Sequence, residues 1–266
     1  MRITLSALAA LFLVAPAFGQ MQDNTQPRLS CNGSSGQGRL VRHCEMREQT
    51  LPFAGQLNID GRENGGISVL GWSRREVLVR MRVDASAASD ADARALASQI
   101  RVNAGAGRIS AEGPANDSDH HWSVSYEVFV PHDVNLELTT YNGGLHLSDV
   151  RGNIQFSAVN GGVHLTRIGG DVHGKTTNGG VHIELAGTRW EGQGLDVSTT
   201  NGGIHLKVPE NYSARVEGST VNGGFHSDFA GMAQGKNTRQ ISANLGSGGA
   251  VLRVKTTNGG VHIGRT

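Results

Sequence analysis

The sequence predicts an all-β fold in which short strands stack as a β-solenoid, and three observations support that class. The phrase Asn-Gly-Gly, an apolar residue and His recurs six times in the C-terminal half. Apolar and polar residues alternate on both sides of each copy, which is the period of a strand. Gly contributes 38 of the 266 residues, about twice the usual share, without the every-third-residue spacing of collagen.

The repeat defines the main predicted domain, a solenoid over residues 134–266. Copies follow one another at intervals of about 20 residues, which is typical of supersecondary units that stack on their neighbours. The longest interval contains residues 247–252, which we interpret as a degenerate copy, so about seven coils are expected. The copies begin at Asn142, Asn160, Asn178, Asn201, Asn222 and Asn258.

Each copy can be assigned an inner and an outer face. Counting from the repeat Asn, the third and fifth following residues are apolar in nearly every copy, and the fourth is always His. Strand alternation therefore turns the apolar pair inward and His outward, while Asn-Gly-Gly suits a tight corner. An antiparallel meander with Asn-Gly hairpins fits the same pattern. The solenoid is favoured because stacked coils call for identical residues at identical offsets.

On a solenoid the six His would form an outward column with rings at the strand spacing of about 4.8 Å. The simplest interpretation is a solvated face on which duplication has copied His. Two alternatives are transition-metal binding, with Zn, Cu or Ni as the ion, and pH sensing by a ridge that becomes positive in acid. No Asp, Glu or Cys recurs beside the column to complete a coordination shell. The candidate metal ligands are His146, His164, His182, His205, His226 and His262.

The N-terminal part is predicted to hold an export signal and an exposed extension. Residues 1–19 combine Arg2, a short apolar run and small residues near Gly19, the pattern of a cleaved signal peptide. Residues 20–51 form the extension, with a disulfide expected between Cys31 and Cys44 because an exported chain with two Cys most simply pairs them. No second long apolar segment follows, so no transmembrane span is expected, and the chain is predicted to be periplasmic, surface-located or secreted.

Residues 52–133 are predicted to form a β-rich cap that covers one end of the solenoid. Several strand-like runs are interrupted by one helical pattern near residues 90–99, with Ser89 as its N-cap and Asp92 three residues later. Asn64-Gly65-Gly66 is an isolated copy of the corner, with Ser68 in the place of His. A solenoid needs covered ends to avoid edge-on association.

Three features together resemble a bacterial putative-adhesin family of unknown function. They are the Asn-Gly-Gly repeats, Gly71-Trp72 before a charged strand, and residues 122–127 leading to Val130-Pro131. The resemblance covers the chain from about Leu51 to its end. It implies a right-handed, pectin-lyase-like β-helix and an exported or surface location, and it brings no catalytic residues. The invariant His of the repeat departs from the varied polar residues expected there.

The predicted function is that of a non-enzymatic, adhesin-like scaffold that binds envelope or extracellular proteins or glycans. Charge balance, 24 basic against 23 acidic residues, argues against nucleic acid as a partner. The sequence contains no Gly-x-Ser-x-Gly, no His-Glu-x-x-His and no phosphate-binding loop, so no enzyme class is indicated. No cofactor is expected apart from the metal alternative. A polysaccharide-cleaving β-helix is the remaining alternative, and the oligomeric state is left open.

Overall fold

The structure is a computed structural model that describes residues 29–32, 39–232 and 235–266. The signal peptide expected at residues 1–19 lies outside the described residues. Within them the chain is all-β with one helix, as predicted. In chain order the elements are β1 (Val41–Pro52), β2 (Gln56–Asp60), β3 (Ile67–Trp72), β4 (Glu76–Ala87), α1 (Asp90–Gln99), β5 (Arg101–Gly105), β6 (Arg108–Glu112), β7 (His121–Pro131), β8 (Asn135–Thr140), β9 (Leu145–Ser148), β10 (Arg151–Asn160), β11 (Val163–Thr166), β12 (Gly169–Asn178), β13 (Val181–Glu184), β14 (Gly194–Asn201), β15 (Ile204–Val208), β16 (Ala214–Asn222), β17 (Phe225–Ser227), β18 (Gln240–Leu245), β19 (Val251–Asn258) and β20 (Val261–Arg265).

Two ten-stranded sheets face each other across one apolar core. The first sheet has the order β1-β4-β7-β3-β9-β11-β13-β15-β20-β17, and the second has the order β18-β16-β19-β14-β12-β10-β8-β2-β6-β5. Each coil takes one strand from the second sheet, turns at an Asn-Gly-Gly corner and continues as a strand of the first sheet. Side chains alternate along these strands, so that every second one is buried between the sheets.

Equal positions of neighbouring coils pair in parallel, so the pattern is solenoid-like and the antiparallel alternative does not apply to the repeat. His164 is in register with His146 on one side and with His182 on the other. The strands of the second sheet follow the same rule, since Asn178 pairs with Asn160 and with Asn201. This register places apolar side chains of adjacent coils in contact along the core, which is what buries them.

The spatial order of the coils departs from the chain order at the C-terminal end. The last coil, β19 and β20, inserts between the coil β14/β15 and the coil β16/β17. The expectation that consecutive repeats are always neighbours is therefore wrong here. Residues 247–252 do not form a further coil, because they turn from β18 into the start of β19, and β18 pairs antiparallel with β16 at the edge.

A matching inversion occurs at the N-terminal end. The corner at Asn64 belongs to a true coil, β2/β3, which stacks directly on β8/β9. The later pair β6/β7 lies outside it, again in parallel register. The stack therefore begins within the region expected to be only a cap. Antiparallel strands β5, β4 and β1 then complete the two sheets at this end.

The segment expected to be an exposed extension contributes to the fold. Strand β1 covers residues 41–52 and pairs along its whole length with β4. Leu51 enters the core from it, whereas most of its other side chains remain at least partly exposed. The disulfide between Cys31 and Cys44 is formed and attaches the segment before β1 to this edge strand. An edge strand with one buried side chain in a polar sequence gives little periodic signal, which explains why it was not predicted.

Helix α1 spans residues 90–99, as the sequence predicts. The hydroxyl of Ser89 accepts a hydrogen bond from the backbone N–H of Asp92 and caps the helix. Ala93, Leu96 and Ala97 are its buried residues. The helix packs on β4 and β1, so it covers the antiparallel end of the first sheet.

The corners stack through a direct approach of backbone to backbone. A Cβ on Gly161 would lie 2.0 Å from the carbonyl oxygen of Gly143 in the neighbouring coil. The equivalent first glycines of the other Asn-Gly-Gly corners behave alike, with clashes at 1.8–2.3 Å. A Cβ on the second glycine would meet nothing closer than 3.4 Å in six of the seven corners, with 3.6 Å at Gly162. At Gly224 it would lie 2.6 Å from the carbonyl oxygen of Gly235, which belongs to a following loop and not to a neighbouring coil. The first glycine is therefore required by coil spacing, whereas the second is not.

We expect Gly161→Ala and Gly162→Ala to differ sharply in their effect on stability. Gly161→Ala forces two backbones apart and should lower the free energy of unfolding by about 3 kcal/mol or more. Gly162→Ala gains backbone rigidity without a clash and should change stability by at most about 1 kcal/mol, in the stabilising direction. Urea denaturation of the two variants measures the difference. Equal midpoints would contradict this account of the corners.

Buried threonines reinforce the same corners from inside. The hydroxyl of Thr199 donates to the carbonyl of Gly179 at 2.7 Å, and that of Thr176 donates to Gly161 at 2.8 Å. Both side chains are buried. The first residue of the pairs Thr176-Thr177 and Thr199-Thr200 therefore faces inward and satisfies a carbonyl that the sheet hydrogen bonds do not use.

Replacing Thr199 by Val should cost about 1–2 kcal/mol, because it leaves the carbonyl of Gly179 without its donor while keeping the side-chain shape. The exposed neighbour gives the control: Thr200→Val should change stability by less than about 0.5 kcal/mol. Thermal or chemical denaturation monitored by circular dichroism distinguishes the two. A Thr199→Val variant as stable as the parent would show that this bond contributes nothing.

Candidate functional site

The candidate site is the outer surface that the seven Asn-Gly-Gly corners form together, which we call the corner face. It consists of three parallel lines of residues. The repeat Asn residues make an asparagine ladder, the second glycines make a glycine trough, and the His residues make a histidine column. At a strand spacing of about 4.8 Å, seven corners extend for about 29 Å. The face is built by register, since each line occupies one offset of the repeat.

The asparagine ladder is continuous over all seven corners. Each side-chain amide N–H donates to the amide oxygen of the next Asn, at 2.7–3.0 Å, in the spatial order Asn222, Asn258, Asn201, Asn178, Asn160, Asn142 and Asn64, where the series ends. An Asn amide has two N–H donors and an oxygen with two lone pairs. An inner member of the ladder uses one of each, so every coil keeps one donor and one acceptor for solvent or a ligand.

The glycine trough lies between the ladder and the column along each chain segment. Its members are Gly66, Gly144, Gly162, Gly180, Gly203, Gly260 and Gly224. They are partly or fully exposed and carry no side chain, which leaves the surface open from Gly66 to Gly260. At Gly224 the backbone of Gly235 and Lys236 lies close above it. Their carbonyls are already engaged, for example that of Gly180, which accepts from the N–H of Val163 at 3.0 Å. A ligand in the trough would therefore rely on the side chains at its two borders.

The histidine column is formed, but its order follows space and not sequence: His146, His164, His182, His205, His262 and His226. Ser68 extends the line beyond His146. The first four rings are stacked, with centroids 4.5, 4.8 and 4.9 Å apart and interplanar angles of 6–8°. The last two rings break this pattern. His262 meets His205 edge-on at 5.7 Å and His226 at an angle of 56°.

The interior of the column disfavours protonation. Desolvation by partial burial is the largest cause that lowers the pKa of His164, His182 and His205 below the usual value. Repulsion from neighbouring imidazoles adds to it in all three cases, and Lys207 contributes at His182. These stacked rings are therefore neutral at neutral pH and resist uptake of protons.

Stacking also decides which imidazoles could share a metal ion. In parallel rings the equivalent nitrogens are separated by about the ring spacing, close to 4.8 Å here. Two Zn–N bonds of about 2.1 Å span at most about 4.2 Å, so the stacked rings do not converge on one ion as they stand. His226 and His262, the tilted pair at the end of the column, are different. They have a nearby carboxylate, Asp228, that the sequence pattern does not indicate. Asp228 recurs in no other copy, so periodicity gives no signal for it.

A groove of about 880 Å³ opens beside the first corners of the ladder. Polar side chains of Asp60, Arg62 and Asn64 and the aromatic rings of Trp122 and Tyr126 contribute to its lining. The Tyr126 hydroxyl is buried and has no hydrogen-bond partner among the described residues, and burial raises its pKa. Because Asn64 belongs to both, the groove and the ladder form one connected surface.

Comparison with known proteins assigns the family. Residues 46–264 match the family model described as Toastrack DUF4097. The chain belongs to the Toastrack DUF4097 family. A comparison with curated proteins finds no match to this Toastrack chain.

The Toastrack chain is also similar to several solved structures. One is a putative cell adhesion protein from Clostridium sporogenes, 9% identical with a TM-score of 0.44, which matches over 84% of this chain and 100% of that one. Another is a putative adhesin from Bacteroides fragilis, 12% identical with a TM-score of 0.44, over 84% and 97% of the two chains. A third is a putative lipid binding protein from Parabacteroides distasonis, 7% identical with a TM-score of 0.35, over 84% and 97%.

No helix in the described part of this Toastrack chain has the length and apolar character needed to cross a membrane.

The lowered pKa values predict acid sensitivity of this Toastrack protein between about pH 7 and pH 5. Unfolded His binds a proton near pH 6.5, whereas the stacked rings bind it only at lower pH. The unfolded state therefore takes up more protons as the pH falls, and the free energy of unfolding decreases. Denaturation midpoints at several pH values measure this, and a His164→Asn, His182→Asn double variant should flatten the slope.

His173→Asn is the matched control, because His173 lies on the second sheet and pairs with Asp171 at 2.8 Å, away from the column. This variant should not flatten the pH dependence. A slope that survives the double variant unchanged would place the acid sensitivity elsewhere.

Proposed function

We propose that this protein is an exported, non-enzymatic, adhesin-like scaffold that binds a macromolecule along its corner face. The observation that carries the proposal is the continuity of that face over seven corners. One unused donor and one unused acceptor recur in each inner coil beside an open trough. Such a surface suits an extended ligand with regularly spaced polar groups, because many weak contacts add along its length.

A glycan chain is the ligand class that best fits this surface. Its hydroxyls can pair with the Asn amides, and its ring faces can pack on Trp122 in the connected groove. A near-neutral charge balance is compatible with a ligand that is recognised by hydrogen bonds and stacking. An envelope or extracellular protein with an extended segment is the other partner class consistent with the trough.

Export is supported by the disulfide, since such bonds persist in oxidising compartments. The periplasm, the cell surface and the external medium all meet that condition, and the signal pattern at residues 1–19 favours each equally. The right-handed winding and the pectin-lyase-like relationship stay predictions from the sequence resemblance. Metal binding by all six His, the alternative function, is disfavoured by the parallel rings of the four stacked imidazoles.

Binding to a panel of immobilised envelope polysaccharides tests the proposal. A Gly162→Thr, Gly180→Thr variant fills the trough at positions where a Cβ has ordinary contact distances of 3.6 and 3.4 Å. We expect it to fold and to bind at least about tenfold more weakly, a loss of about 1.4 kcal/mol. Gln155→Thr, at an exposed position on the second sheet, is the control and should bind like the parent.

Three results would count against the scaffold. Absence of retention on every glycan and on native envelope protein would remove the proposed ligand classes. Equal binding by the trough variant would move the site away from the corner face. Release of new reducing or unsaturated ends from a glycan would replace the proposal by the polysaccharide-cleaving alternative.

A further inference from the structure

The end of the histidine column brings three metal-ligating side chains together. Oδ1 of Asp228 lies 3.6 Å from Nε2 of His226 and 3.8 Å from Nε2 of His262. One ligand atom from each of the three residues lies within 4.8 Å of the other two. In a tetrahedral site with bonds of about 2.0 Å, ligand atoms are about 3.3 Å apart. The two nitrogen–oxygen distances are therefore already close to those of a metal site.

The carboxylate is held in the orientation that such a site needs. Its second oxygen, Oδ2, accepts a hydrogen bond from the backbone N–H of Arg265 at 3.3 Å, and the backbone N–H of Asp228 donates to the carbonyl of Ile263 at 3.0 Å. Oδ1 consequently faces the two imidazoles. Anchoring of a ligating carboxylate by backbone groups is the usual way in which proteins fix metal ligands.

A second, independent observation comes from His262. Its Nε2 is buried from solvent and has no hydrogen-bond partner among the described residues. A buried nitrogen without a partner costs free energy, and native structures rarely leave one without a reason. A bound cation would satisfy this atom and the Asp228 carboxylate at once. His226 is 69% exposed in its side chain, so its ring can rotate to complete the set.

We propose that His226, Asp228 and His262 bind one transition-metal ion, with Zn²⁺ as the reference ion. Two imidazole nitrogens and one carboxylate oxygen are a frequent ligand set for zinc, with water in the fourth position. The 56° tilt between the two rings lets their nitrogens converge, whereas the stacked rings of the column do not. The site goes beyond the scaffold function and does not depend on it.

The site occurs only at this end of the column because the neighbouring residues differ from coil to coil. The position of Asp228 is taken by Ser148, Thr166, Glu184, Lys207 and Gly264 in the other His-containing coils. Glu184 is in register with Lys207, whose charge opposes a cation beside His182 and His205. Cations near the proposed site among the described residues include Lys236, which is exposed, and Arg265, which pairs with Glu210 at 3.0 Å.

Isothermal titration calorimetry tests the proposal. A chelator first removes any metal from the protein, which is then titrated with ZnCl₂. We expect saturable binding of one Zn²⁺ per chain. Asp228→Asn keeps the shape of the side chain but removes its charge, and it should weaken binding at least tenfold. His226→Gln, at the exposed position of the short edge strand β17, should do the same and provides a second variant if the first folds poorly. Circular dichroism verifies folding of both.

The matched control is His164→Gln, His182→Gln, which removes two stacked imidazoles and should leave the Zn²⁺ affinity unchanged. As an independent readout, Zn²⁺ should raise the Tm of the parent and of the control but not that of Asp228→Asn. The proposal is overturned if the parent shows no saturable binding. It is equally overturned if the control loses the affinity while Asp228→Asn keeps it, which would assign the metal to the stacked column.

Discussion

Close contact between the backbones of successive corners is the constraint on which the rest of the structure depends. The first glycine of each Asn-Gly-Gly corner rests on the carbonyl of its neighbour at a distance that no Cβ permits. This contact brings the coils to strand spacing and fixes their register. The asparagine ladder and the inward threonine hydroxyls then follow, because equal positions come to lie side by side. Core, trough and column are all consequences of that register.

Both ends of the stack are made from internal segments of the chain. The first coil in sequence lies beneath β6/β7, and the last lies beneath β16/β17. Antiparallel strands form three of the four sheet edges, namely β5, β1 and β18, and the fourth edge is the short strand β17. Exposed parallel edges would otherwise offer templates for association with other chains. The inversion therefore ends the stack without needing a separate domain.

The same inversion gives identical residues different chemical surroundings. His164, His182 and His205 lie between other imidazoles, which together with partial burial lowers their pKa. His262, by contrast, is placed against His226 and Asp228 by a coil order that the repeats do not encode. The same repeat position thus forms a surface with two parts, a stretch of stacked imidazoles beside the trough and a distinct cluster at its end. The two parts suit different ligands, a polar polymer and a single cation.

The sequence by itself determined the fold class, the inner and outer faces of each repeat, helix α1 and the pairing of Cys31 with Cys44. Those features depend on local periodicity, capping and cysteine count, which can be read along the chain. Only the tertiary structure decided the order of the terminal coils, the role of β1 as an edge strand and the meeting of Asp228 with His262. Repeats with the same corner and the same inner residues can stack on one another in any order. The order that is adopted depends on contacts between segments far apart in sequence, and such contacts produce no periodic pattern along the chain.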